Sequence, residues 1–325
     1  MVKKSSATYL ITGVSGFVGG HYLEYLLAKY QNVKIFGLDT RRPKFAFLKN
    51  AQKNKFAFYQ GSLLNKKWLA HLIKKAGLDY IVNLASYSSV AYSWKHPVEC
   101  AINNTDIFLN IAEAARKSKV KPKILSVGSS EEYGITRNGT SPVTEDTQLS
   151  PANPYAVARV AQECYSNVYA GSYRMPLILT RSFNHIGPRQ KDIFAVSALA
   201  KQVIEVKKGK RDKVVHGDLN IIRDFTDVRD IVRAYDLLLR KGKIGNVYNV
   251  CSGEGHRLKD VLNMLAKEAG IKNLRTKQDP NLTRPIDNKA IIGSCAKLKQ
   301  HTGFKTQYPL SQSLKDILNY WERRL

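Results

Sequence analysis

Acidic residues are scarce in this 325-residue chain: 26 aspartates and glutamates stand against 52 lysines and arginines, a formal net charge of +26. A field of that size draws in polyanions over about one Debye length, roughly 10 Å at moderate salt. The cations nevertheless fall as scattered pairs and short groups, such as Lys66-Lys67, Lys74-Lys75 and Lys207 to Lys213, without interleaved aromatics. That distribution argues against nucleic acid as a partner and for a lysine-rich solvated surface that attracts phosphorylated metabolites. Cysteine is scarce too. Cys100, Cys164, Cys251 and Cys295 lie far apart with no paired spacing, which excludes a metal knuckle or dithiol motif and leaves reduced, buried thiols and no metal as the expectation. Long apolar runs are missing as well. The start, MVKKSSATYLITG, passes from charge straight into a short strand, with no stretch suited to a signal peptide or a membrane span, so a cytoplasmic chain without a membrane partner is expected.

What the chain does have is a hydrophobic fraction of 43%, enough for a full core at this length. Thr8 to Thr12 reads as a short strand, followed at once by Gly13-Val14-Ser15-Gly16-Phe17-Val18-Gly19 and then by apolar positions at helical spacing. In that pattern Gly13 permits a tight turn, Gly16 lets the backbone approach a pyrophosphate, and Gly19 lets helix and strand close up. The free N–H groups around Phe17 and Val18 face the anion with the positive end of the helix. A second strand, Val33 to Leu38, ends in Asp39, where an acid bonds an adenosine ribose. Asp39 favours NAD, whereas Arg41 and Arg42 just beyond it suit the 2′-phosphate of NADP; the balance leans to NAD. The lesser alternative is that Asp39 simply caps the turn, with the arginines solvated.

Further strands are expected at Phe56 to Tyr59, Tyr80 to Ala85, Ile124 to Val127 and Leu177 to Arg181, alternating with helices at Trp68 to Ala76, Asn104 to Lys117 and Ala156 to Tyr169. Six strands in this alternation predict an α/β fold, a doubly wound parallel sheet of the Rossmann type. Ligands bind such sheets at the strand carboxyl ends, which makes Leu84 and Ala85 candidates for the cofactor and Ser88, in the loop that follows, a candidate for the substrate. Beyond Pro188 the alternation weakens. Phe194 to Lys208 reads as a helix, Lys213 to His216 as a strand, and Arg223 to Asp230 as the opening of a helix that runs to Arg240 behind a Thr226 or Asp227 cap. Val247 to Val250 reads as a strand, and Leu258 to Ala269 and Leu310 to Arg323 as helices. The economical division is a dinucleotide-binding domain over 1–182 with 224–250, and a smaller mixed α/β lobe over 183–223 with 251–325 that binds the substrate in the cleft between them.

The stretch GSSEEYG at 128–134 and the segment NPYAVAR at 153–159 supply two hydroxyls (Ser129, Ser130), a carboxylate (Glu131), a tyrosine (Tyr155) and a cation (Arg159). Tyr155 and Arg159, at i and i+4, share one helix face. A phenol of unperturbed pKa near 10 is a poor proton donor and acceptor at neutral pH, and a fixed positive charge beside it favours the phenolate. The pair can therefore cycle a proton at a carbonyl. Glu131 and Glu132 also read as a solvated pair, His185 as a loop or packing residue, and Tyr133 as structural.

With these residues, GSSEEYG, TRSFNHIGP (180–188), RDFTDVRDIVRAY (223–235), VYNVCSG (247–253) and RPIDNKAIIGS (284–294), the chain resembles the extended short-chain dehydrogenase/reductases that act on nucleotide sugars. The resemblance implies an NAD(P)-dependent oxidoreductase that reduces the C4 ketone of GDP-4-keto-6-deoxy-D-mannose to GDP-D-rhamnose. GDP-mannose 4,6-dehydration is the alternative, and a non-catalytic dinucleotide binder the second. It assigns Tyr155 as catalytic acid and base, Ser129 as its partner on the sugar oxygen, and Glu131 as the base that dehydratases use at C5. Ser130 is placed beside the substrate, Asn184 on its phosphate, and Arg223 and Arg284 on its diphosphate. It also implies a homodimer through Asn104 to Lys117 and Ala156 to Tyr169. Two positions depart from the family: Arg159 stands where the pattern has lysine, with the ribose of the nicotinamide as its expected contact, and Ser62 where many relatives carry aspartate.

Overall fold

The computed structural model describes residues 7–49, 54–136, 141–282 and 288–325. In chain order, β1 (Ala7–Thr12), α1 (Phe17–Lys29), β2 (Val33–Asp39), β3 (Phe56–Gln60), α2 (Lys66–Ala76) and β4 (Tyr80–Asn83) form the first half of the nucleotide-binding unit. Next come α3 (Val90–Lys95), α4 (Pro97–Arg116), β5 (Lys123–Ser129), α5 (Pro154–Gly171) and β6 (Leu177–Ser182). The remainder is β7 (Asn184–Ile186), α6 (Ala195–Lys207), β8 (Val214–His216), β9 (Ile222–Asp227), α7 (Val228–Lys241), β10 (Val247–Val250) and β11 (Gly255–Arg257). It ends with α8 (Leu258–Glu268), β12 (Thr276–Gln278), β13 (Ala290–Ile291), α9 (Ala296–Thr302) and α10 (Leu310–Glu322).

Seven strands build one sheet in the order β3-β2-β1-β4-β5-β6-β10, every pair parallel. A parallel sheet must be covered on both faces. Leu23 and Leu26 of α1 with Ile231, Leu238 and Leu239 of α7 cover one face, and Leu69 and Ile73 of α2 with Phe108 and Ile111 of α4 cover the other. Helices α2 and α5 begin where the sequence caps them. Asn65 accepts the Trp68 N–H at the head of α2, and Asn153 accepts the Ala156 N–H at the head of α5, where Pro154 needs no partner. The expected doubly wound sheet is thus present, and β10 adds its seventh strand.

A second, mixed sheet places β9 between β11 and β13 with β7 beside it, and β8 pairs with β12. Its core is formed by Val203, Leu262, Leu265, Ile317 and Trp321 from α6, α8 and α10. Here two expectations need correction. Arg223 to Asp230 does not open a helix: Ile222–Asp227 is a strand buried along most of its length, and α7 starts only at Val228, where Asp227 Oδ1 accepts the Arg229 N–H at 2.8 Å. The strand expected over Tyr80 to Ala85 stops at Asn83, because the Leu84 and Ala85 N–H groups leave the ladder and donate to Thr12 Oγ1 at 3.2 and 3.3 Å. Of the four thiols, Cys164 is exposed on α5 rather than buried.

Candidate active site

The sheet reverses its winding between β1 and β4, and the crevice beyond their carboxyl ends is where such folds take ligands. The chain closes tightly there. Gly13 has φ +66°, and a Cβ on it would come within 2.9 Å of Leu84 and Ala85 backbone atoms, while a Cβ on Gly19 would overlap the Gly13 carbonyl oxygen. Gly16, exposed, heads α1 without any side-chain cap, so the amino end of the helix keeps its donors and its positive pole beside half-buried Phe17 and Val18. A cradle that side chains would fill, with uncapped N–H groups at its rim, fits a dinucleotide pyrophosphate.

At the end of β2 Asp39 performs the turn-capping part of its expected role. Its Oδ2 accepts the Ser15 N–H at 3.0 Å and its Oδ1 the Arg41 N–H at 3.2 Å, and both oxygens retain acceptor capacity. The side chains of Arg41 and Arg42 are exposed.

Beyond β5 the chain enters a 3₁₀ turn at Ser130–Tyr133 that packs against α5. Ser129, Ser130 and Tyr155 are all buried, and Glu131 is half-buried. Ser129 Oγ accepts the Glu131 N–H at 3.2 Å, and Glu131 Oε2 accepts from Asn153 Nδ2 at 2.9 Å, tying the turn to the cap of α5 two residues before Tyr155. Tyr155 packs with Val90 and Cys100 under Tyr87, and the Arg159 guanidinium lies 5.1 Å from its ring centroid. Tyr235 of α7, its hydroxyl 2.8 Å from Ser182 Oγ, has its own phenol pushed up by burial.

Arg159 is buried, and its guanidinium is held by the protein. Nη1 donates to the Val127 carbonyl at 3.1 Å and to Gln162 Oε1 at 2.6 Å, and Nη2 donates to Ser86 Oγ at 2.5 Å. Gln162 in turn donates to Ser126 Oγ at 2.8 Å, and Ser126 meets Ser166 at 2.9 Å. Among the described residues Arg159 Nε has no acceptor, one buried donor left over for a bound group.

The other expected contacts spread outward from this centre. Ser88 is exposed in the loop after β4, and Asn184 is exposed on β7. Arg223, buried on β9, donates to the Ile222 and Asn288 carbonyls at 2.9 and 2.7 Å. Arg284 lies outside the described residues. The solvated-pair reading of Glu131 and Glu132 fails for Glu132, which is wholly buried. His185 stacks on Phe17 with its Nδ1 3.0 Å from the Phe183 carbonyl, and Tyr133 is buried with its hydroxyl on Asn249, both as read. Sequence reasoning missed Asn153, Gln162, Ser86 and Glu132. The signals were an Asn-Pro helix start, a polar residue three places past Arg159 on the same face, and a Ser-x-x-Glu capping box beginning at Ser129.

The family model described as GDP-mannose 4,6 dehydratase matches residues 10–317. The GDP-6-deoxy-D-mannose reductase of Pseudomonas aeruginosa is 31% identical over 316 residues, 97% of either chain. The dTDP-D-glucose 4,6-dehydratase of Dictyostelium discoideum is 32% identical over 257 residues, 74% of this chain and 57% of that one. Among solved structures, RMD from Pseudomonas aeruginosa complexed with NADPH superimposes with a TM-score of 0.85 at 29% identity, covering 98% of this chain and 100% of that one. The Thermus thermophilus UDP-glucose 4-epimerase complex with NAD does so with a TM-score of 0.85 at 27% identity, again covering 98% and 100%.

Proposed function

The chain belongs to the GDP-mannose 4,6 dehydratase family, and on that premise we propose that this NAD(P)-dependent enzyme reduces the C4 ketone of GDP-4-keto-6-deoxy-D-mannose, forming GDP-D-rhamnose. The observation that carries the reading is the buried arrangement of Tyr155, Arg159 and Ser129 at the strand ends beside the glycine cradle. Gly13, Gly16, Phe17, Val18 and Gly19 hold the pyrophosphate, with Leu84 and Ala85 closing the crevice and Asp39 and Arg41 at the adenosine end. When bound, the nicotinamide supplies the hydride. Tyr155 gives its phenolic proton to the alkoxide that develops at O4, Arg159 stabilises the phenolate left behind, and Ser129 holds the oxygen by a hydrogen bond. A positioned donor at a developing oxyanion in a dry site contributes about two to three decades in rate. Ser88, Ser130, Asn184, Arg223 and Arg284 are assigned to the nucleotide sugar, the two arginines to its diphosphate.

The choice of reductase over dehydratase is supported by the match along 97% of the Pseudomonas reductase and by the engagement of Glu131. With Oε2 accepting from Asn153, that carboxylate serves as an anchor between the turn and α5. The division into 1–182 with 224–250 and 183–223 with 251–325 is supported by β10 joining the main sheet, although β9 pairs within the second sheet across the boundary. A homodimer through α4 and α5 is supported by their unpartnered apolar stripe: Val98 and Ile102 on one, Val157, Tyr165 and Val168 on the other, all exposed.

Two incubations test the assignment. With GDP-4-keto-6-deoxy-D-mannose and reduced cofactor, wild type consumes the cofactor and yields GDP-D-rhamnose, and Tyr155→Phe is slower by at least about a hundredfold. With GDP-mannose and no reductant nothing forms; accumulation of a 4-keto product there makes the enzyme a dehydratase. Cofactor binding without turnover in either incubation rejects both.

A further inference from the structure

Glu132 takes no part in the chemistry above, yet it lies in the same turn as Ser129 and has no access to solvent. It sits three residues past Ser129 on the inner side of the turn. Its Oε1 accepts the Ser129 backbone N–H at 2.6 Å, while Ser129 Oγ caps the turn from the other side. The fit leaves no slack: a Cβ on Gly128 would overlap both Glu132 Oε1 and, at 2.5 Å, the Thr180 carbonyl oxygen.

Among the described residues Glu132 Oε2 receives no donor. The side chain that acts most strongly on Glu132 is a second carboxylate, Glu163 of α5, by its charge and as a hydrogen-bond partner. Glu163 is already gripped by Arg181 of β6, whose Nε and Nη2 donate to its two oxygens at 3.0 and 2.6 Å. The remaining Arg181 nitrogen, Nη1, is spent on the Tyr133 hydroxyl at 3.1 Å and the Glu145 carbonyl at 2.9 Å. Thus the charged groups that act on Glu132 are Glu163 of α5 and Arg181 of β6, with Tyr133 and the Glu145 carbonyl bonded to Arg181 behind them. One cation serves two carboxylates in a dry space, and they cannot both be charged. Burial first, then Glu163, pushes the Glu132 carboxyl well up. A single proton turns one acceptor into a donor to the other, which removes the orphaned oxygen and balances the charge against Arg181.

We propose that Glu132 is a positioning residue held as the neutral acid, its proton shared with Glu163, and that in this form it fixes the Ser129 backbone and with it the hydroxyl at the reacting carbonyl. The role of Ser129 rests on the function proposed above; the protonation does not, and the test separates the two.

Thermal melts of the full chain from pH 5 to 9 decide the protonation. The folded state retains a proton that an unfolded glutamic acid, with a pKa near 4.3, releases. The stability linked to that proton is fully present below the unfolded value and is lost as pH rises through the folded one, about tenfold in the folding constant per pH unit between them. Glu132→Gln keeps the shape and a donor without titrating, so its melting temperature relative to wild type rises steadily with pH. A difference that is flat, or that favours wild type more at high pH, overturns the shared proton. Kinetics decide the positioning. Glu132→Gln retains kcat/KM within about threefold, whereas Glu132→Leu lowers kcat at least about tenfold with a smaller change in KM; Glu132→Asp, which shortens the reach, replaces it should the leucine variant not fold. A leucine or aspartate variant that melts lower but turns over at the wild-type kcat overturns the positioning role. A wild type inactive on keto-sugar nucleotides rejects the reductase assignment while the melts still stand.

Discussion

A guanidinium at position 159 does what one ammonium cannot: it reaches the Val127 carbonyl, Gln162 and Ser86 from a single planar fork. Arg159→Lys restores the family's residue but leaves Gln162 Oε1 short of a donor in a buried place. We expect it to lose about 1–3 kcal/mol of stability, read as a lower denaturation midpoint, and to lower kcat about tenfold. A lysine variant as stable and as fast as wild type shows that the fork is dispensable. This half of the site was legible in the sequence because Tyr155 and Arg159 obey a helical spacing. Gln162 was not, since a polar side chain beside a cation reads as surface until the sheet covers it. Glu132 was misread for a related reason: its capping box was written in the residues, but nothing in their order says that the turn is buried under β6.

Elements were legible where periodicity had room to show itself. The main sheet's strands and most of the longer helices lie close to their expected positions because buried parallel strands are apolar runs and the helices are amphipathic, but α4, expected from Asn104, already begins at Pro97. Strands β7, β11, β12 and β13, two or three residues each, are too short to carry a period. Strand β9 hid behind its charges. Asp224 is wholly buried, with Oδ1 accepting from the Ser252 N–H and hydroxyl at 2.9 and 2.6 Å and Oδ2 from the Gly253 and Gly293 N–H groups at 2.9 and 3.3 Å. Such a carboxylate belongs in a strand only because two other segments, Ser252-Gly253 and Gly293, bring donors to it. Asp224→Asn sets an amide's own donors against those N–H groups, and the variant should be destabilised by at least about 2 kcal/mol in urea titration. An unchanged midpoint shows that the second sheet holds without this clamp.

For the whole molecule, α4 and α5 leave an apolar stripe to solvent in the single chain, with Val98 69% exposed and Val157 52%. Sedimentation should find a dimer, and Val157→Asp combined with Val168→Asp should shift it to monomer. A wild type that sediments as a monomer at high micromolar concentration contradicts the pairing. No helix among the described residues is long and apolar enough to cross a membrane. Arg181 also has a consequence at this scale. From one guanidinium, bonds run to Glu163 of α5, to the Tyr133 hydroxyl and to the Glu145 loop, and that hydroxyl passes the link on to Asn249 of the edge strand. Segments riveted to a common post cannot breathe separately: amide protons there should exchange with deuterium as one cooperative block, released together or not at all.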